Sequence, residues 1–273
     1  VSGVRRVIPL TLGWETLPKA WSVEGTDPSV KLREPVPGVL LEVDGGWVLL
    51  DTGFNPALVR DPVLHLRFHG RNHDITAELP PGDGDPLLEA LAEHGLDVGN
   101  IAVVALSHLH NDHSGGVRHW AGRDAVVHVQ RADLEYGLAN HPEPERHGMF
   151  RIDFDDARIP WHVGDGEVDI APGVRAVPTP GHTPGHQSFV VDLAGGGGYV
   201  FAFDAADLQE NIDDELAVGG RIDATPEQTI EQIRKLKAIA AAKGYRVVPG
   251  HDPVVWPAFT AEMRGRDAVE RRA

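Results

Sequence analysis

Four stretches of this chain run apolar and β-branched and then stop on a histidine or an aspartate, and that repeated format constrains the fold more than any other feature. Ile101-Ala102-Val103-Val104-Ala105-Leu106 leads into Ser107-His108-Leu109-His110-Asn111-Asp112-His113. Val174-Arg175-Ala176-Val177-Pro178-Thr179-Pro180-Gly181 ends at His182, Tyr199-Val200-Phe201-Ala202-Phe203 at Asp204, and Arg246-Val247-Val248-Pro249-Gly250 at His251. Short apolar runs bounded by turn formers read as buried strands. Their polar ends converge on one rim. In the two Pro-Gly-His endings, Pro stops the ladder, Gly permits an unusual turn, and His is presented from a fixed loop.

The residue types on that rim point to metal chemistry. His108 to His113 packs three imidazoles and one carboxylate into six consecutive residues, in a chain with 15 His and no Cys. Zinc accepts imidazole nitrogen and carboxylate oxygen readily, so the ligands here must be His and Asp. In an extended stretch, residues two apart point the same way, which lets His108 and His110 grip one ion. Asp112 and His113 lie past the strand and can face a second. Ser114-Gly115-Gly116 then lets the backbone pass close to the metals and enter a helix.

The series His-x-His-x-Asp-His, followed in order by His182, Asp204 and His251, resembles the metallo-β-lactamase-fold hydrolase superfamily over nearly the whole chain. The resemblance implies an α/β fold, an αββα sandwich of two mixed β-sheets flanked by helices, with the metal site at the strand-end rim. It implies two zinc ions, with cobalt, manganese or iron as alternative occupants. His108, His110 and His182 would hold one ion and Asp112, His113 and His251 the other, with Asp204 bridging both. Asp51, in Val48-Leu49-Leu50-Asp51-Thr52-Gly53, would end an early strand beneath the metals and orient a ligand. His186, in His182-Thr183-Pro184-Gly185-His186, is read as a support for the site and not a ligand.

Departures narrow the branch. True β-lactamases with a Cys ligand are disfavoured, and flavodiiron oxidoreductases carry Glu where His110 stands. Glyoxalase II-like thioesterases usually append a basic C-terminal region, whereas the chain after His251 is short. Thr179-Pro180-Gly181-His182-Thr183-Pro184-Gly185-His186-Gln187-Ser188 and Asp204-Ala205-Ala206 are most similar to N-acyl-homoserine lactonases and their pyridoxolactonase-like relatives. Those lactonases usually have Tyr where this chain has Asp207 and Phe where it has Asn111, so the pocket expected here is more polar. The implied activity is opening of a lactone, an N-acyl-homoserine lactone or a similar carboxylic ester, by a metal-bridging hydroxide. Asp112 would shuttle the proton, and Asp207 would stand near the carbonyl. The alternatives are a glyoxalase II-like thioesterase or other ester hydrolase, and a mononuclear-iron persulfide dioxygenase.

The 273 residues suit one domain of this kind, with substrate-loop insertions near 54–83 and 136–161. Val39 to Val43 and Trp47 to Leu50 read as a hairpin across Asp44-Gly45-Gly46, and Gly195 to Gly198 as a tight turn. Asp85-Pro86 opens a helix that stops near Gly95, and Thr225-Pro226-Glu227-Gln228 has capping-box form ahead of a helix ending at Gly244. Leu64, Phe68, Met149 and Phe150 would form an apolar wall for an acyl tail, with Asn111, Trp14 and Trp21 nearby. His65, His69, His73, His141 and His147 are read as surface or loop-stabilising residues. A net charge of −16 argues against a nucleic-acid partner, because phosphate binding needs clustered Lys and Arg. No apolar run is long enough to span a bilayer, and the sequence begins at Val1 without a basic and apolar leader. The expected partner is a small ester or lactone and the expected location cytoplasmic, with export compatible with the same composition and a homodimer left open.

Overall fold

The computed structural model describes residues 3–70, 74–139 and 147–270. Seven strands form one sheet: β1 (Arg6–Pro18), β2 (Lys31–Val43), β3 (Gly46–Leu50), β4 (Thr76–Glu78), β5 (Ile101–Ala105), β6 (Val126–Gln130) and β7 (Trp161–Gly164). Their order is β4-β1-β2-β3-β5-β6-β7, antiparallel from β4 to β3 and parallel from β3 to β7. The second sheet holds β8 (Val168–Ala171), β9 (Val174–Pro178), β10 (Gln187–Asp192), β11 (Gly198–Phe203) and β12 (Arg246–Pro249), in the order β12-β11-β10-β9-β8. Both sheets are mixed, since β11 and β12 run parallel beside antiparallel neighbours.

The period of two along each strand builds the layers. Val39, Leu41, Val48 and Leu50 meet Phe189, Phe201 and Phe203 between the sheets. The alternate residues Leu40, Leu49 and Val104 pack outward on Leu87 and Leu91 of helix Pro86–Glu93 and on Trp120. On the far side, Val190, Val200 and Ala202 pack on Ile233, Leu236 and Ala240 of helix Pro226–Lys243. The result is the helix-sheet-sheet-helix sandwich expected from the sequence.

Local signals act where they were read. Asp85 caps its helix through the Leu87 N–H, and Thr225 and Gln228 close a reciprocal capping box ahead of a helix that ends at Gly244, φ 68°. Val43 pairs with Gly46 across Asp44-Gly45, a two-residue turn. Two extents differ. Gly198 already lies in β11, paired with Asp192. Strand β2 reaches back to Lys31 through Pro35 and Pro37, because β3 joins it only from Val39 onward and the earlier half pairs with β1 on one side. Among the described residues no helix is long and apolar enough to cross a membrane.

Parallel pairing of β3 with β5, and of β11 with β12, sends those four strand ends to the same edge of their sheets. The Gln187 N–H donates to the Ser107 carbonyl at 2.9 Å, tying the two sheets' rims together, while the Asp51 N–H donates to the Ala105 carbonyl at 3.1 Å within the larger sheet.

Candidate metal centre

The loop after β5 and the ends of β9, β11 and β12 bring seven side chains into two adjoining groups. In the first, His110 Nδ1 lies 2.9 Å from His108 Nε2 and 2.8 Å from His182 Nε2. Asp204 Oδ2 completes it, 3.2 Å from His182 Nε2 and 3.8 Å from His108 Nε2. In the second, His113 Nε2 lies 2.9 Å from Asp112 Oδ2 and 3.2 Å from Asp204 Oδ1, and His251 Nε2 lies 3.1 Å from the same Asp204 oxygen. One carboxylate thus faces both groups, one oxygen to each. The ligand atoms of His108, His110, His182 and Asp204 all fall within 4.8 Å of one another, as do those of Asp112, His113 and His251.

The opposite ring nitrogens are anchored. His113 Nδ1 donates to Asp51 Oδ2 at 2.7 Å, His251 Nδ1 to the Pro35 carbonyl at 2.9 Å, and His182 Nδ1 to the Gly220 carbonyl. An acceptor at Nδ1 leaves the Nε2 lone pair free and aimed inward. Asp51 also accepts from the Ser107 N–H and Oγ, both at 2.6 Å, and adopts φ 57°, a left-handed conformation unusual outside glycine. His186 belongs to neither group. It is buried, its Nδ1 lies 2.9 Å from Thr179 Oγ1, and its ring sits 5.2 Å from that of His108.

Charge follows burial and neighbours. Burial and the surrounding imidazoles push His108 well down and His110 to about 3, so both rings are neutral. For His113 burial works against the proton, but Asp112, Asp204 and Asp51 outweigh it and raise the ring well above its ordinary value. The Nε2 atoms of His108 and His182 both lie 2.8–2.9 Å from His110 Nδ1, a convergence of three imidazole nitrogens that suits a shared cation. His113 Nε2 is buried without a hydrogen-bond partner even though two carboxylate oxygens approach it, so these ligands face a common point instead of each other. The donor set, imidazole nitrogen and carboxylate oxygen, fits divalent metal ions.

A cavity of about 320 Å³ opens above the two groups, with Asp112, Asp204 and His251 in its floor. Asn111 and Asp207 line it. The Asn111 amide donates to the Gly148 carbonyl at 3.1 Å, and burial together with Asp204 raises Asp207 well above the usual carboxylate range. Phe68, Met149 and Phe150 are not in its wall. Phe68 and Phe150 pack with Leu58 and Leu64, and Met149 joins the layer beneath the larger sheet, so these apolar residues anchor loops. Leu17, Trp21 and Ile75 supply the apolar surface instead, while Trp14 lies under the Arg33 guanidinium, 4.1 Å away. His65 and His69 stack at 5.2 Å, His147 lines the cavity, and His73 and His141 lie outside the described residues. Gly115 and Gly116 close against the backbone of Thr52, Phe54 and Asn55, not against the ligands, and the short helix Asn111–Ser114 begins before them.

Three carboxylates were not singled out from the sequence. Glu15 and Glu34 line the cavity from β1 and β2, strands that carry other charged residues as well, so nothing in the sequence marks these two apart. Asp133 is fully buried and raised to about 6 by that burial. Its two oxygens accept the Leu109 N–H at 2.7 Å and the Gly185 N–H at 3.1 Å, so it clamps the His108–His110 loop to the His182–His186 loop.

Fold and ligand groups together define a metallohydrolase architecture. Residues 33–251 match the family model of the metallo-beta-lactamase superfamily, and the chain belongs to that superfamily, as a lactonase-like hydrolase within it. It is 31% identical over 234 residues to N-acyl homoserine lactonase AttM of Azorhizobium caulinodans, covering 82% of this chain and 84% of that protein. It is 29% identical over 227 residues to N-acyl homoserine lactonase AiiA of Bacillus thuringiensis subsp. kurstaki, with the same coverage of each. A solved N-acyl homoserine lactone hydrolase, with its product N-hexanoyl-L-homoserine at the catalytic metal center, superposes with a TM-score of 0.80 at 26% identity, over 92% of this chain and 94% of that one. The dizinc quorum-quenching lactonase AidC shares the fold, with a TM-score of 0.67 at 16% identity over 93% and 91% of the two chains.

Proposed function

We propose that this enzyme opens the ring ester of a lactone, an N-acyl homoserine lactone or a similar carboxylic ester, using two zinc ions. His108, His110 and His182 would hold one ion and Asp112, His113 and His251 the other, with Asp204 shared. Zinc bound in this way supplies a hydroxide near neutral pH and draws charge from an ester carbonyl. The observation that carries the reading is Asp204, whose two oxygens face the two ligand groups separately. The lactonase names of relatives at 29–31% identity support the substrate class.

The remaining roles belong to the chain itself. Asp51, Pro35 and Gly220 hold the ligand rings in one tautomer. Asp112, in the cavity floor, would carry the proton to the leaving alkoxide. Asp207, also in the wall, would stand near the substrate carbonyl. The segments 54–83 and 136–161 reach the cavity through Ile75 and through His147 and Gly148, which supports their part in choosing the substrate.

The test is proton release by zinc-loaded protein with short and long acyl-homoserine lactones, other lactones, an aryl ester and a thioester. Lactone opening that is lost on chelation and restored by zinc is the expected result. Turnover of the thioester alone would move the enzyme to the thioesterases, and oxygen uptake by an iron-loaded form acting on a persulfide would make it a dioxygenase.

A further inference from the structure

We infer that Arg221 is a positioning residue for His182: its guanidinium clamps both ends of the 218–224 loop, whose Gly220 carbonyl holds the His182 ring. This rests on the reading of His182 as a metal ligand and names a residue that acts through it.

The 218–224 segment has little local reason to hold one shape. It contains no helix or strand, its adjacent Gly219 and Gly220 leave the unfolded chain unusually free, and Asp223 adopts φ 54°, a left-handed conformation costly outside glycine. Such a segment keeps one conformation only when its surroundings fix it at several points. One edge is fixed by Trp21, at the end of the short helix Lys19–Ser22, whose carbonyl accepts the Gly219 N–H at 2.9 Å and the Gly220 N–H at 2.6 Å. Space requires a glycine at 219, where a Cβ would lie 1.8 Å from the Ala20 carbonyl oxygen. Gly220 touches both the cavity wall and the ligand, since a Cβ there would lie 3.4 Å from Trp21 Cε3 and 3.7 Å from His182 Cε1.

Arg221 fixes the two ends. Its Nε donates to the Ala224 carbonyl at 3.1 Å and its Nη1 to the Val218 carbonyl at 3.0 Å, while Nη2 pairs with the Glu24 carboxylate. Glu24 is itself tied to the same loop, its N–H donating to the Ala217 carbonyl at 2.9 Å. A guanidinium presents its donors in one rigid plane, so three acceptors met at once set the spacing of the loop's ends. The Arg221 side chain is 18% exposed, which shields these bonds from much of the competing water. Between the clamped ends, the Ile222 N–H donates to the His182 carbonyl at 3.0 Å and the Gly220 carbonyl accepts from His182 Nδ1. Without the clamp the ring loses a fixed acceptor, and with it the tautomer that keeps Nε2 bare and aimed at the other ligands.

The experiment follows the imidazole N–H protons of the full chain by NMR, with and without zinc. An Nδ1–H held by a buried carbonyl exchanges slowly with solvent, and His251, whose Nδ1 donates to the Pro35 carbonyl at 2.9 Å, serves as the internal reference. Arg221→Met should speed exchange at His182 about tenfold or more while leaving His251 within about twofold of the parent, and should weaken one of the two zinc equivalents about tenfold with little change in the other. Competition with a chromogenic chelator reads the zinc. Arg221→Lys keeps the charge beside Glu24 but cannot span the two carbonyls, so it should resemble Arg221→Met, and it carries the test if the methionine variant fails to fold. Equal acceleration at His182 and His251 would reduce Arg221 to general support of the fold and overturn the inference. Unchanged exchange at both, or parent behaviour in Arg221→Lys, would overturn it too. If the protein binds no zinc, the metal reading fails, and the metal-free exchange rates still decide whether Arg221 holds the His182 ring.

Discussion

Asp51 Oδ2 sits 2.7 Å from His113 Nδ1, in a place where both side chains are completely buried. Such a contact fixes ring orientation and raises the basicity of the inward nitrogen. Asp51→Ala removes it and also strands the Ser107 N–H. Zinc affinity should fall about 10–100-fold, and stability by about 2–3 kcal/mol. Competition with a chromogenic chelator reads the first and urea unfolding the second. Unchanged zinc affinity would show that His113 needs no such partner.

Asp204 and Asp207 are neighbours with different expected phenotypes. Asp204→Asn should lose metal and activity together, because one oxygen serves each ligand group. Asp207→Ala should keep its metal. Metal analysis of both purified variants decides the matter, and full zinc occupancy with full activity in Asp204→Asn would refute the bridging role.

Gly115 is held by space and not by backbone angle. A Cβ there would lie 2.1 Å from the Asn55 backbone nitrogen and 2.4 Å from the Phe54 carbonyl carbon, while its φ of −60° suits any residue. Gly115→Ala must therefore push the Asn111–Ser114 turn off the Phe54-Asn55 backbone. A loss of about 3 kcal/mol is expected, with weaker zinc binding because Asp112 and His113 ride on that turn. A variant with the parent's unfolding midpoint would contradict the packing described.

Asp153 makes stability depend on pH. It accepts the Asn55 amide at 2.7 Å, linking the 54–83 and 136–161 segments, and burial raises it to about 7. In the unfolded chain it titrates near its ordinary value of about 3.9. Between these values the folded state keeps a proton that the unfolded state has released. The stabilisation is thus complete below about pH 4 and is lost as pH rises to about 7. Asp153→Asn removes that loss, so the variant should gain about 1–3 kcal/mol on the parent between about pH 5 and pH 8. Urea unfolding at the two pH values checks it. An identical difference at both would mean that Asp153 is charged in the fold.

The seven clustered side chains could be read from the chain because metal-ligand chemistry is local. A His or Asp at the end of an apolar strand stays at that strand's end in any sheet that buries the strand, and the caps at Asp85 and Thr225 act within one helical turn. Phe68, Met149 and Phe150 were harder. Their hydrophobicity shows that they are buried but not on which side of a loop, and the fold turned them into its core and away from the cavity. Glu15 and Glu34 are 19 positions apart, and only the β1–β2 register sets them opposite each other above the ligands. Asp133 likewise clamps loops belonging to separate sheets. The sequence by itself determined the kinds of atom that gather at the rim, since these follow from side-chain chemistry at strand ends, and through its resemblance to a known superfamily it implied the sandwich class. Only the tertiary structure decided what surrounds the ligands, because long-range strand pairing and loop packing set which residues look into the cavity.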